Sequence, residues 1–313
     1  MKIGIIGPGA IGCLFAGFLS RAGQDVWLLD HRKERAKALS SEYINIEGIG
    51  GLKQVKVHST SDPSKIKDLE LVILAVKSYS TEQAIRYWLP CLDSAFVLTL
   101  QNGIGNAESM SRFIKKESLL AGTTSEGSTF LKNGCIRYAG KGETIFGYFY
   151  KQTGSAAGER IKKILNVIKS AGFDAKITGR VSDTLWTKLA INTGINALTA
   201  ILKVSNGKLL ESEYSSDIMD TAVQETVCVG DKIGIKFLYP DMTEKTQDTA
   251  KLTSQNRSSM LQDILAKRKT EIDAINGAVV QNAVPFNLPT PVNKFLWMTV
   301  KALEQMTEYS TTP

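Results

Sequence analysis

Residues 182–201, SDTLWTKLAINTGINALTAI, carry Leu185, Trp186, Leu189, Ala190, Ile191, Ile195, Leu198 and Ile201 at spacings that predict a buried helix. Into that apolar background the helix sets Lys188, Asn192 and Asn196 at i, i+4 and i+8. At roughly 100° per residue the three fall within a stripe of about 80° along one side. An ammonium and two carboxamides on such a helix need partners, because each unpaired buried polar group costs kcal/mol. A solvated face or a neighbouring helix would meet that need, and so would a cleft holding a small polar ligand.

The start of the chain has a different period. Residues 1–6 are a short β-branched apolar run, followed at once by Gly7-Pro8-Gly9-Ala10-Ile11-Gly12 and then by a helical apolar pattern that ends near Gly23. A second strand at 25–29 completes a βαβ unit, so the GxGxxG lies between a strand and a helix, where a dinucleotide-binding loop requires it. Gly7 serves the tight turn, Gly9 lets the backbone approach a pyrophosphate, and Gly12 lets helix and strand pack closely. The helix N-terminus offers unpaired N–H groups to the phosphates. The second strand runs into Asp30-His31-Arg32-Lys33. An acid here favours the ribose hydroxyl of NAD, whereas Arg32 with His31 favours the 2′-phosphate of NADP. The residues alone leave both open.

Further strands are expected at 54–58, 71–76 and 96–100. Lys77 and Asn102 sit just past the ends of the latter two, where ligands bind in a doubly wound sheet. Strands at 119–124, 134–138 and 143–148 read as a hairpin-rich closure of the sheet. A polar loop at 151–158, an amphipathic helix at 159–172 and a short strand at 174–178 follow. After a boundary at 179–182 the pattern becomes helical. Helices are expected at 182–201 and about 212–234, with a loop at 239–243 marked by Pro240. A long helical run is expected over 256–281, then a terminal helix after 289–291. The fold class is therefore α/β, a Rossmann-type doubly wound sheet over 1–180 followed by an all-helical domain over 181–313, with a substrate cleft expected between them.

Composition narrows the chemistry. A chain of 313 residues with 43% apolar and 22% charged residues fits an ordinary globular protein of two domains. Its net charge of +7 is spread along the sequence, which argues against nucleic acid and is met equally well by a phosphorylated small molecule. No apolar run suits a membrane span, and the N-terminus does not read as a signal peptide. Cys13, Cys91, Cys135 and Cys228 form no paired spacing and read as reduced thiols of a cytoplasmic protein. With only two histidines, acid–base work is expected to pass through Lys or a carboxylate.

GPGAIG, AVKSY, LQNGIG, LWTKLAINTGINALTAI, SNGKL and NRSSMLQDILAKRKTEID, in this order, resemble the motifs of the 2-dehydropantoate 2-reductase (ketopantoate reductase) family over nearly the whole chain. The resemblance implies NADPH-dependent reduction of a 2-keto acid to pantoate, in the pathway to pantothenate and coenzyme A. It implies that Lys188 is the proton donor and that Asn192, Asn196, Asn206 and Ser259 bind substrate. Asn102 would touch both nicotinamide and substrate. Gly7 to Gly12, Lys77, Ser128 and Glu271 would contact the cofactor, although the loop around Ser128 departs from the family pattern; Arg32, from its place after the second strand, is expected to grip a 2′-phosphate. Asp30 keeps NADH use open, and the oligomeric state, a homodimer included, is not fixed. Two other readings are a β-hydroxyacid dehydrogenase relative, which lacks the Asn196, Asn206 and Ser259–Glu271 motifs, and a non-catalytic NADP sensor, which would not need Lys188.

Overall fold

A computed structural model of the chain describes residues 1–152 and 154–306. Residue 153 of the expected 151–158 loop and residues 307–313 of the expected second domain lie outside them. The chain divides into two compact units, one of Met1–Gln101 with Asn106–Val181, the other of Asn102–Gly105 with the residues from Ser182 onward.

In the first unit the strands are β1 (Lys2–Ile6), β2 (Asp25–Leu29), β3 (Ile44–Gly48), β4 (Lys53–Val55), β5 (His58–Thr60), β6 (Leu71–Leu74), β7 (Phe96–Thr99), β8 (Leu119–Thr124), β9 (Gly127–Lys132), β10 (Cys135–Gly140), β11 (Glu143–Tyr148) and β12 (Asp174–Ile177). Between them lie helices α1 (Ala10–Arg21), α2 (Lys33–Ser41), α3 (Thr81–Trp88), α4 (Asn106–Met110) and α5 (Ser155–Ser170). The main sheet has the order β12-β11-β8-β7-β6-β1-β2-β5 and is parallel except where β11 meets β8. A second sheet has the order β4-β3-β10-β9.

The period of two in the strands sorts side chains to two faces. Ile3, Ile5, Leu71, Ile73 and Leu98 pack with Leu14 and Phe15 of α1 and with Ile161, Ile164 and Ile168 of α5. Ile6, Val72, Leu74 and Val97 pack on the opposite side with Ile85 and Trp88 of α3 and Met110 of α4. Strand order reverses between β1 and β6, the switch point at which such sheets bind ligands. Gly7 follows β1 there with φ +100°, and a Cβ on it would lie 2.8 Å from the Val76 backbone nitrogen beyond β6. No other residue type fits that turn without strain.

The second unit is helical: α6 (Val181–Leu202), α7 (Glu213–Lys232), α8 (Met242–Leu252), α9 (Ser259–Leu265), α10 (Asn276–Ala283) and α11 (Pro291–Met306). Its core gathers Trp186, Leu189, Ile195 and Leu198 of α6 with Met219, Val229, Met260, Ile272, Val279, Leu296 and Val300. Buried polar contacts fix these helices against one another. The Glu225 carboxylate of α7 accepts the backbone N–H groups of Val292 and Asn293, each at 2.9 Å, and the Asn293 amide at 2.8 Å, so it caps α11. Asn276 donates to the Thr193 carbonyl at 3.1 Å and to Asn293 at 2.9 Å.

Several sequence expectations need correction. The helical run over 256–281 is two α-helices separated by a turn. Ser258 caps α9 by accepting from the Leu261 N–H, Lys267 turns left-handed at φ 52°, and the 3-10 turn Ile272–Ala274 precedes α10. Its apolar residues keep helical spacing because each short piece buries one side. The single strand expected at 54–58 is two strands in different sheets, since β4 pairs with β3 and β5 with β2. The segment 134–138 joins the small sheet rather than closing the large one. Strand β3 was not expected, having only Ile44 and Ile46 to mark it, and α8 begins inside the expected 239–243 loop, capped by the Asp241 carboxylate.

Candidate active site

In the first unit the Gly-rich turn ends in Gly9, the N-cap of α1, and nothing lies within 4 Å of a Cβ built on it. Pro8, Ala10 and Ile11 flank it, and among the described residues α1 has neither a capping side chain at its N-cap nor an acidic residue in its first turn, so the first-turn N–H groups present the positive end of the dipole. Gly12 faces the other way, and a Cβ there would collide with the Gly7 carbonyl oxygen. An open Gly9 beside a closely packed Gly12 suits a bound pyrophosphate. Ser128 on β9 reaches this turn, its hydroxyl donating to the Ala10 carbonyl at 3.2 Å.

At the end of β2 the Asp30 carboxylate is buried and already engaged. It accepts from the Arg35 Nε and, at 3.3 Å, from the Arg32 backbone N–H, while the Arg32 Nε lies 3.5 Å away. Burial, and then the like charge of Arg35, lower the pKa of Arg32. Arg35 was not singled out in the sequence, although it lies one helical turn beyond Arg32. Lys77 follows β6, and its carbonyl accepts the Ser80 N–H at 2.8 Å. Gln101, also not anticipated, is buried at the end of β7 and donates to the Val76 carbonyl at 2.8 Å and the Thr81 hydroxyl at 2.9 Å, fixing the loop that carries Lys77.

In the second unit α6 presents Lys188, Asn192 and Asn196 among buried Leu189, Ala190, Thr193 and Ala197. Burial pulls the Lys188 pKa from 10.5 down to about 8, and the charge of Glu271 pushes it back up. The Asn192 Nδ2 is buried with no hydrogen-bond partner among the described residues. Asn206 donates its Nδ2 to the Thr253 hydroxyl at 2.9 Å, and that hydroxyl donates to the Thr249 carbonyl at 2.6 Å. The Thr253 oxygen is thus an acceptor toward Asn206, which sets the amide orientation and leaves the Asn206 Oδ1 buried and without a partner among the described residues. Each orphan calls for an outside partner: the Asn192 donor suits an anionic oxygen, the Asn206 acceptor a hydroxyl.

Neighbouring bonds draw the remaining predicted residues together. The Asn206 N–H donates to the Asn256 carbonyl at 3.0 Å, and the Thr199 hydroxyl of α6 donates to Ser258 at 2.7 Å, beside Ser259 at the start of α9. Glu271 is buried and accepts from the Asn102 amide at 3.4 Å. The second unit therefore joins Lys188 to Glu271 electrostatically and Glu271 to Asn102 by a hydrogen bond. Gly7 to Gly12, Arg32, Lys77 and Ser128 belong to the first unit. Thr253, which orients Asn206, had no sequence signal, since a threonine near a helix end has many uses. Among the described residues no group of His, Cys, Asp and Glu could hold a metal ion.

Comparison with known proteins covers both units. Residues 3–151 match the family described as ketopantoate reductase PanE/ApbA, and residues 180–304 match its C-terminal family. The chain is 36% identical over 306 residues to a 2-dehydropantoate 2-reductase of Pyrococcus abyssi, covering 98% of this chain and 99% of that one. It is 33% identical over 297 residues to one of Halobacterium salinarum, covering 95% and 96%. Among solved structures, a PanE/ApbA family ketopantoate reductase from Ralstonia eutropha JMP134 superposes with a TM-score of 0.88 at 29% identity, covering 98% of this chain and all (100%) of that one. D-mandelate dehydrogenase in ternary complex with NADH and anilino(oxo)acetate superposes with a TM-score of 0.91 at 25% identity, covering 98% and 99%.

Proposed function

The chain belongs to the ketopantoate reductase family of oxidoreductases, and on that premise we propose that it reduces 2-dehydropantoate to pantoate with NADPH, Lys188 acting as proton donor. The observation that carries the reading is the desolvated Lys188 ammonium on one helical stripe with the orphaned Asn192 amide. Reduction of a ketone places negative charge on its oxygen. An ammonium within hydrogen-bond reach stabilises that charge and supplies the proton. A pKa near 8 suits the task, because Lys188 is mostly protonated at neutral pH and yields its proton more readily than an ordinary lysine.

The other residues hold the substrate without adding positive charge beside Lys188. Asn192 offers its N–H to the carboxylate, and Asn206 offers its Oδ1 to a substrate hydroxyl. Asn196 and Ser259 supply further polar contacts, and Asn102, tied to Glu271, is the residue assigned to both substrate and nicotinamide. Glu271 keeps Lys188 charged and oriented. When bound, the nicotinamide supplies the hydride. The residues assigned to hold its dinucleotide are Gly7 to Gly12 with the α1 N-terminus, Ser128, Lys77 and Arg32.

For the choice of nicotinamide, the engagement of Asp30 by the Arg35 guanidinium and the Arg32 backbone N–H supports NADP over NAD, because a carboxylate already holding a guanidinium and a backbone donor is a poorer ribose acceptor. The product would enter pantothenate and coenzyme A synthesis. A second reading, another branched or aryl 2-keto acid, draws on the mandelate dehydrogenase likeness.

Loss of nicotinamide absorbance with 2-dehydropantoate, run in parallel with NADPH and NADH, tests the reading. Turnover faster with NADPH is expected. Cofactor binding without turnover would discard this substrate and turn the assay to other branched and aryl 2-keto acids.

A further inference from the structure

The terminal helix α11 carries a carboxylate where packing alone would place an apolar side chain. Glu304 is 2% exposed and is flanked in the core by Val300. Its Oε1 accepts both the backbone N–H and the hydroxyl of Thr270, each at 2.7 Å. The Thr270 oxygen in turn accepts the Ile272 N–H at 3.2 Å. Lys301, one turn earlier on α11, reaches the Glu304 Oε2 at 3.1 Å and the Asp273 Oδ2 at 3.0 Å, and Trp297 donates to the Asp273 Oδ1 at 2.7 Å. Three residues on one side of α11 therefore grip both ends of the turn 270–273.

That turn carries Glu271. The Glu271 carbonyl accepts the N–H groups of Ala274 and Ile275 at 3.0 and 3.1 Å, and the Ala274 carbonyl accepts the Ile104 N–H at 3.0 Å. The Glu271 side chain meets Asn102 at 3.4 Å and acts on Lys188 through its charge. A buried ion pair adds little net stability over an apolar replacement, so its effect is better sought in position than in energy. A short turn between two helices has few contacts of its own to hold Glu271 in place.

We propose that Glu304 is a positioning residue for the reduction, holding the 270–274 turn through Thr270 so that Glu271 stays beside Lys188 and Asn102. This rests on the reading of Lys188 as proton donor. The charged groups around the turn are Glu271, Asp273, Lys269 and, from α11, Lys301 and Glu304.

The test compares Glu304→Ala, Glu304→Gln, Thr270→Val and Thr270→Ser in the full chain. The Gln and Ser variants keep the acceptor and the hydroxyl, and are expected to rescue. For Glu304→Ala and Thr270→Val, kcat for 2-dehydropantoate is expected to fall roughly 10- to 100-fold as Glu271 shifts. The 13C NMR titration of Lys188, assigned by its absence in Lys188→Ala, is expected to move down by about 0.5 pH unit or more. Should Glu304→Ala fail to fold, Thr270→Val, which keeps the backbone bond, decides. Folded variants in which Lys188 titrates as in the wild type overturn the proposal, whether or not kcat falls. Because the titration needs no substrate, a wild-type protein inactive on 2-dehydropantoate would defeat the proposed function and leave the role of Glu304 still decided by the NMR.

Discussion

Glu271 returns to Lys188 part of the basicity that burial removes. Without the carboxylate, a lysine desolvated to this degree would sit lower still. On the proposed role of Lys188 as proton donor, the pair would set the pH range of the reduction.

The first prediction follows from that balance. The ammonium is present below about pH 8 and is lost above it, so kcat/KM for reduction should be flat on the acid side of 8 and fall about tenfold per unit above it. The reverse oxidation needs the neutral amine and should rise through the same region. Glu271→Gln should move both profiles to lower pH. Lys188→Ala should lose roughly 10²- to 10⁴-fold in kcat while nicotinamide binding, read by fluorescence titration, survives. Near-normal turnover of Lys188→Ala across pH would remove the proton-donor role.

Gly9 and Gly12 should separate binding from folding. A Cβ at Gly9 meets nothing, and its φ of −81° suits any residue, so Gly9→Ala should leave stability within about 0.5 kcal/mol. Dinucleotide affinity should nonetheless drop, because the methyl occupies the space assigned to the pyrophosphate. Gly12→Ala drives a methyl into the Gly7 carbonyl and should cost about 1–3 kcal/mol of stability. Parallel thermal melts and cofactor titrations check both. A stable Gly9→Ala protein with unaltered affinity would displace the phosphates from this turn.

How much of this could be read along the chain depended on how local each signal was. The β1–α1–β2 unit announced itself because strand period, glycine spacing and helix period changed within a few residues. The Lys188 stripe was equally plain, since three polar residues share one side of α6. The break in 256–281 was hidden because Met260, Leu261, Ile264, Ile272 and Ile275 are all partly or fully buried and keep a helix-like spacing across it. The helix stops where Lys267 turns left-handed, and the stretch beyond it is held by Glu304 on Thr270, between residues 34 positions apart. Arg35 and Thr253 were missed for a related reason: each acts through a partner whose orientation only the fold defines.

Arg32 should govern the choice of nicotinamide. Arg32→Ala should raise KM for NADPH about tenfold or more, a loss of roughly 1.4 kcal/mol, while KM for NADH changes little. Steady-state kinetics with both cofactors would show it, and equal losses for the two would assign Arg32 to structure alone.

Glu225 should matter to the fold and not to the chemistry. Glu225→Ala strands the backbone N–H groups of Val292 and Asn293 and leaves the Asn293 amide only its bond to the Ala222 carbonyl, and should lower stability by about 2–4 kcal/mol in urea titration. Glu225→Gln, which keeps an acceptor, should lose less. KM for both substrates should hold in whatever fraction remains folded.

The tetrapeptide Asn102–Gly105 belongs with the residues from Ser182 onward, although it is encoded in the middle of the first unit. Gly103, at φ +80°, fits against Ala274 only because it has no side chain, and the Ile104 N–H is bonded to the Ala274 carbonyl. A gene cut at codon 181 would thus separate the helical half from part of its own wall. Recombination between relatives has three joints to respect, at 101, 105 and 181, instead of one. A chimera that swaps the helical half and leaves the tetrapeptide behind asks a foreign glycine to fit a foreign alanine, so lineages should trade the two segments together or not at all.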